Sequence, residues 1–351
     1  MNQRLSAGPA SRGDIAPGRS IAPPVNVHRP LVSVVIPTMN RNDLLERCLH
    51  ALRRQTISRD DYEIIVCDDA PSPRTRALVD AMAIPMRGRP RLQYVAVTGT
   101  QGPAGARNMG WRQARAPIIA FTDDDTLPEP GWLEAGLAAM ASGAQAAAGR
   151  IVMPLPATPT DLELDAARLS QVEFATANCF VRRDALEQVG GFDERYTAAW
   201  REDSDLHFSL LERGGVVTSA PDAVVVHPVR SMPFAAGLRM QKKVMFDVLL
   251  YRKFPRLYRE RIRRGRPWFY LAVSAALLSV AAAFIAGEPP VAHLALILWT
   301  LLTLYFLARR LRHSTFSLRN TAELLVTSVL IPPLSIFWRL VGASRFGWAL
   351  P

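Results

Sequence analysis

Three consecutive carboxylates, Asp123-Asp124-Asp125, follow the apolar run 118–121 and precede the break Leu127-Pro128-Glu129-Pro130. Adjacent carboxylates raise one another's pKa unless a cation or hydrogen-bond donors compensate. Acids at i and i+2 after a strand can both reach a divalent cation that also holds a diphosphate. Mg2+ or Mn2+ bound there would neutralise a departing diphosphate, so that no protein acid has to protonate it. Taken alone, the triplet reads equally as a solvated acidic turn. Three further groups share its character. Asp68-Asp69 close the apolar run 62–67 and can accept hydrogen bonds from a base N–H or ribose hydroxyls, or simply cap a turn before Arg74. Gly102-Pro103-Ala104-Gly105-Ala106-Arg107 opens a helix whose small residues let a ligand approach the backbone and whose amino end favours anions, with Arg107 suited to phosphate. Glu202-Asp203 stand at a helix start, where the dipole favours negative charge and where a general base could take a proton from an acceptor hydroxyl. His227 follows the last predicted strand and is open to a metal, phosphate or structural role.

These groups need a frame. Apolar runs at 31–36, 62–67, 92–96 and 118–121 read as buried strands, and helical patterns lie between them, such as Leu44, Leu45, Cys48, Leu49 and Leu52 on one face. Strands alternating with helices predict an α/β, Rossmann-like, mostly parallel sheet with helices on both faces. The acids then stand at strand carboxyl ends, the rim at which open α/β sheets bind ligands. Downstream, helices are expected at 131–142, 183–189 and 202–212, strands at 146–153 and 174–181, and short strands at 216–217 and 224–226, with a weak signal at 158–170.

The charge is unevenly placed. Of the net +11 over 351 residues, the stretch 229–266 supplies 12 Lys/Arg against 2 Asp/Glu, leaving the remainder close to neutral. A nucleic-acid binder would be basic throughout, so no nucleic-acid partner is expected. Basic residues massed beside an apolar span point to an anionic membrane surface. Residues 267–287 and 289–308 carry no formal charge and are each long enough to span a bilayer. A third apolar element, 324–341, contains Pro332-Pro333 and fits a broken span, a re-entrant segment or an interfacial helix. Basic residues before the first span and at Arg309-Arg310-Leu311-Arg312 place both ends of the hairpin on the cytoplasmic side. A multi-pass inner-membrane protein with a cytoplasmic catalytic domain is therefore expected. Residues 1–30, rich in Pro, Gly and Arg with no apolar run, are expected to be a disordered tail. Cys48, Cys67 and Cys179 show no metal spacing and read as core thiols of a reducing compartment.

Taken in order, the motifs resemble glycosyltransferase family 2, which has the GT-A fold. Val32-Ser33-Val34-Val35-Ile36-Pro37-Thr38-Met39-Asn40-Arg41 looks like the family's opening. Asp68-Asp69, Gly102 to Asn108, Asp123-Asp124-Asp125 in the position of the DXD motif, Gly190-Gly191-Phe192-Asp193-Glu194 and the Glu202-Asp203 pair follow in sequence. The likeness covers 31–228, leaving 229–266 as a basic amphipathic juxtamembrane segment and 267–351 as a membrane region. It implies inverting, metal-dependent transfer from a nucleotide-sugar donor to a lipid-linked or saccharide acceptor. It further implies that Pro37, Thr38, Asn40, Arg41, Asp68, Asp69, Arg107, Asp123 and Asp124 meet the donor, and that Asp123 and Asp125 hold Mg2+ or Mn2+. Asp203 would be the base, with Glu202 beside it. One departure is informative. Processive members carry Gln-x-x-Arg-Trp ahead of the spans, whereas here Gln241-Lys242-Lys243-Val244 lacks the Arg-Trp pair, which favours addition of one sugar or a few. A sugar nucleotidyltransferase and a non-catalytic nucleotide-sugar-binding membrane scaffold are the alternatives. The former would want a basic, Gly-rich triphosphate loop that 37–43 does not supply.

Overall fold

The computed structural model describes residues 28–83, 90–230, 232–349 and 351. The expected tail lies outside the described residues as far as residue 27. Among the described residues, eight strands form one sheet: β1 (Val32–Thr38), β2 (Tyr62–Asp68), β3 (Arg91–Ala96), β4 (Ile118–Thr122), β5 (Leu127–Pro128), β6 (Ala146–Val152), β7 (Asn178–Arg182) and β8 (Val217–Val226). Their order is β3-β2-β1-β4-β7-β6-β8-β5. The first four pair in parallel, β7 runs antiparallel to β4 and β6, β6 and β8 are parallel, and β5 is antiparallel to β8. The expected parallel half is thus extended by a mixed half.

Alternation along the strands feeds two cores. Val35, Ile65 and Phe121 point to one face, covered by α3 (Pro103–Gln113), α6 (Arg183–Val189) and α7 (Glu202–Glu212). Val34, Ile64 and Ala120 point to the other, covered by α1 (Asn42–Leu52), α2 (Pro73–Ala83) and α4 (Trp132–Met140). Period-two strands with both faces covered are what a doubly wound sheet requires.

The two short strands expected around Pro221 are one strand, β8. Its pairing with β6 shifts register between Gly149 and Arg150, so that Ala220 pairs with Gly149 and Val224 with Arg150. Proline has no N–H for the ladder, and the shift passes it by. The carbonyls this disturbs are taken up by one side chain. The Asn178 amide donates to Arg150 O (2.9 Å) and Ala223 O (2.8 Å), and its Oδ1 accepts from Trp132 Nε1 at 2.8 Å. Asn178→Ala is expected to destabilise the protein by about 1–3 kcal/mol for each buried group left unpaired. Chemical denaturation of the solubilised protein measures it as a lowered midpoint.

Beyond β8 the chain continues into helices. In chain order the remaining elements are α5 (Asp161–Ala167), lying before β7, then α8 (Ala236–Met240), α9 (Met245–Lys253), α10 (Pro255–Leu257), α11 (Trp268–Ile285), α12 (Pro289–Leu311) and α13 (Leu318–Phe346). Within the basic stretch 229–266, α9 buries Met245, Phe246, Val248, Leu249 and Leu250 in the domain core. Residues 245–250 are all buried, and Arg252 in the last turn is exposed. α11 and α12 form an antiparallel hairpin, with Phe269 against Tyr305 and Phe306 at its base. The third apolar element is longer than expected and continuous, and Pro332 and Pro333 sit inside it. α11, α12 and α13 are each long and apolar enough to cross a membrane.

Candidate active site

The parallel register puts the acids where the sequence predicts. Thr38 pairs with Asp68, and Val35 with Phe121, so β1, β2 and β4 end at one rim. There Thr38 Oγ1 donates to Asp124 Oδ2 at 2.8 Å, and Arg41 reaches Asp124 at 3.1 Å and Asp125 at 3.7 Å. Pro37 lies within β1, and Asn40 is exposed just past it with a positive φ of 54°. Burial pushes the Asp124 carboxyl up to about 6, against the pull of Arg41 and the Thr38 hydroxyl.

Mutual repulsion within the triplet is answered by three arginines. Arg41 serves Asp124 and Asp125. Arg230 NH2 lies 3.0 Å from Asp125 Oδ2, and Arg107 NH2 lies 2.7 Å from Asp123 Oδ1. His227 Nε2 stands 3.4 Å from Asp125 Oδ1. One ligand atom each from Asp123, Asp125 and His227 falls within 4.8 Å of the others. Two carboxylates and an imidazole suit a divalent cation such as Mn2+ or Mg2+. His227 Nδ1 and Glu202 Oε2 are buried without a partner, as polar atoms of a site awaiting ligands would be.

Arg107 reaches farther than a phosphate contact at a helix start. It is 2% exposed on α3, and its NH1 donates to Glu202 Oε1 at 3.1 Å while NH2 holds Asp123. One guanidinium therefore joins the acidic triplet to the acidic pair at the head of α7. Arg201 precedes that pair in a left-handed conformation, φ 74°, which turns the chain into the helix. Its Nε donates to Asp247 Oδ1 at 2.7 Å, and Trp200 Nε1 donates to the same atom at 3.0 Å. Burial pushes Glu202 up to about 7, although Arg107 opposes it, and pushes Asp203 up as well, against the Ser204 N–H.

The raised Glu202 pKa has a consequence for stability. Folded Glu202 binds its proton more tightly than the unfolded chain, whose ordinary value is 4.5. Its stabilising contribution is complete below pH 4.5 and is lost as pH rises through about 7. The thermal midpoint of the parent is expected to fall across that window relative to Glu202→Gln, which has no such proton to lose.

Asp68 and Asp69 are engaged within the protein. Asp68 is fully buried, and its carboxylate accepts from Ala70 N–H (3.2 Å), Ser72 N–H (3.1 Å) and Tyr94 Oη (3.0 Å). Asp69 is part-buried and accepts from Gly102 N–H at 2.9 Å, tying the end of β2 to the start of α3. Gly102 itself, φ 92°, has no room for a Cβ against the Thr197 backbone. In the sequence His227 stands out at a strand end, whereas the basic stretch 229–266 hides Arg230. Its only sequence signal is its place three residues beyond His227.

A mixed α/β sheet with strand-end acids, a DXD-type triplet and a second acidic pair at one rim defines a glycosyltransferase of the GT-A fold. Comparison with known proteins agrees. Residues 33–190 match Glycosyl transferase family 2, and residues 118–340 match Glycosyl transferase family group 2. The chain belongs to the family 2 glycosyltransferases. It is 29% identical to Glycosyltransferase AglE of Haloferax volcanii over 61% of this chain and 72% of that protein. It is 32% identical to the Validoxylamine A glucosyltransferase of Streptomyces hygroscopicus subsp. limoneus over 55% of this chain and 50% of that one. A 36% match to the GalNAc(5)-diNAcBac-PP-undecaprenol beta-1,3-glucosyltransferase of Campylobacter jejuni covers 27% of this chain and 30% of that one. The chain thus spans half or less of the full length of the last two relatives. Among solved structures, a mannosyltransferase from Pyrobaculum calidifontis, in complex with GDP-Man and Mn2+, shares the fold. Its TM-score is 0.53 at 21% identity, covering 91% of this chain and 87% of that one. The apolar helices that follow the catalytic domain fit membrane anchoring.

Proposed function

We propose that this glycosyltransferase moves a sugar from a nucleotide-sugar donor to an acceptor held at the membrane, by a single displacement that inverts the anomeric carbon. The observation that carries the reading is the Arg107 bridge, which joins the acidic triplet and the Glu202–Asp203 pair in one site. Asp203 takes the proton of the acceptor hydroxyl, and Glu202 shapes the field around it. Pro37, Thr38, Asn40 and Arg41 at the end of β1, with Asp69, border the nucleoside, while Asp68 holds the turn beneath them. Asp123 and Asp125, joined by His227, hold the cation. Mg2+ or Mn2+ in that position supplies positive charge beside the departing diphosphate. Arg41 and Arg230 are paired with the acids and long enough to turn toward diphosphate oxygens.

The acceptor reading rests on a cavity of about 240 Å³ that opens beside His227 and Arg230 and is lined also by Asp161, Glu163, Arg310 and Glu323. It joins the catalytic rim to the ends of α12 and α13, a path suited to an acceptor whose head is phosphorylated and whose tail is lipid. The Campylobacter relative is named for an undecaprenol-linked substrate, which supports the same class here. Exposed Arg256, Arg261, Arg264 and Arg266 suit anionic headgroups on the cytoplasmic face of the cell membrane. A donor screen tests the reading. One nucleotide-sugar is expected to raise the thermal midpoint in Mn2+ or Mg2+ and to yield an inverted glycoside on a polyprenyl-phosphate or saccharide acceptor. Retained configuration at the anomeric carbon would exclude the single displacement.

A further inference from the structure

By length and composition α13 matches the two helices of the hairpin. Its attachments do not. At its start, Thr315 donates its backbone N–H and its hydroxyl to Pro159 O, both at 2.9 Å, and Glu323 accepts from the Ala235 N–H at 3.0 Å. At its end, Phe346 lies in the same core cluster as Phe246 and Leu249, its ring 6.0 Å from that of Phe246, and its carbonyl accepts from the Arg252 guanidinium. Between these points Arg339 NH2 donates to Asp247 Oδ2 at 3.1 Å. Gly342 lets the backbone of α9 come close, since a Cβ there would stand 2.6 Å from Met245 O. Pro159, Ala235 and α9 all belong to the folded unit that carries the catalytic rim.

The helix has 29 residues, about 43 Å at 1.5 Å per residue. A helix that crosses the ~30 Å hydrocarbon core leaves its ends on opposite sides. Both ends of α13 are bound to one domain, and one domain occupies one side. The two faces of the helix agree with this. The buried side mixes apolar Leu324, Ile331, Pro332, Ala343 and Phe346 with polar Asn320, Thr327, Ser328, Ser335 and Arg339. The open side carries Leu325, Val326, Leu330, Phe337 and Leu340, and the exposed Trp348 follows. An outer row this apolar, over an inner side that itself holds five polar residues, departs from the pattern of a helix on a water-soluble surface, whose outer face is polar. It fits a helix lying in the interface plane, where tryptophan is also at home. The helix is tied to the hairpin through its inner side, where Arg310 of α12 donates to Thr327 (2.8 Å) and Ser328 (3.2 Å).

We propose that α13 is an in-plane helix that seats the catalytic domain on the lipid surface, so that the described chain crosses the bilayer twice, through α11 and α12, and not a third time. Its partner is the acyl–headgroup boundary of the bilayer. The seat also bears on the site. Arg339 holds Asp247, Asp247 holds Arg201 and Trp200, and these lead directly into Glu202 and Asp203. Burial raises the Asp247 carboxyl, yet Arg201 and Arg339 together hold it below its ordinary value.

Cysteine accessibility in the full chain decides the matter. The native Cys48, Cys67 and Cys179 are buried and give little background. Phe316→Cys and Ser344→Cys put thiols on exposed positions flanking and near the end of α13, and Glu288→Cys marks the far turn of the hairpin. In sealed vesicles of uniform orientation, a membrane-impermeant maleimide is expected to treat Phe316→Cys and Ser344→Cys alike, to the same modified fraction, and Glu288→Cys oppositely. Labelling of Phe316→Cys and Ser344→Cys from opposite sides would overturn the proposal. The comparison lies within one helix, so it does not depend on which compartment holds the domain, nor on the donor, the acceptor or the transfer mechanism.

Discussion

Asp203→Asn is expected to lower kcat for sugar transfer by ~10²–10⁴-fold, the range lost when a positioned general base is removed, while donor binding in Mn2+ stays intact. Asparagine preserves shape and removes the basic oxygen. Asp203 Oδ1 already accepts from the Ser204 N–H at 2.6 Å, so the side chain is oriented before substrate arrives. Its pKa is raised by burial, which makes the carboxylate a better proton acceptor than an exposed aspartate. The split between kcat and donor affinity is the informative readout. Loss of both together would point to collapse of the head of α7, and an unchanged rate would remove the base assignment. Thermal shift with donor and steady-state transfer, run on the same preparation, separate these outcomes.

Asp125→Ala is expected to lower kcat/KM by on the order of 10²–10³-fold, as does loss of a group that stabilises charge developing in the transition state. Chelation of the parent is expected to mimic it. Asp125 carries more of the site than Asp123 does. It faces His227, Arg230 and Arg41, whereas Asp123 is held chiefly by Arg107. Removing Asp125 therefore both empties a ligand position and leaves Arg230 and Arg41 without their shared anion. His227→Ala is expected to shift the Mn2+ dependence to higher metal concentration with a smaller loss at saturation. Transfer that survives chelation and Asp125→Ala would sink the metal role.

Much of this was legible in the chain itself. Strands β1, β2, β3 and β4 and the acids at the ends of β2 and β4 follow from apolar runs broken by carboxylates and prolines, because strand periodicity and turn chemistry act over a few residues. The pairing of β6 with β8 across the Pro221 shift was not legible, since a register depends on which strand lies opposite. Asn178 is the example: an ordinary polar residue in sequence, and the group that takes up two strand carbonyls in the fold.

The sequence by itself determined the family, the acidic triplet, the Glu202–Asp203 pair and the apolar helices, since each is written in residue type and short spacing. Tertiary structure alone decided how those charges are balanced. Arg107 joins Asp123 to Glu202, Arg230 leaves a basic block to meet Asp125, and Arg339 reaches Asp247 from α13. The physical reason is the same each time. A buried charge must find a partner wherever the fold supplies one, and nothing in local sequence says how far along the chain that partner lies.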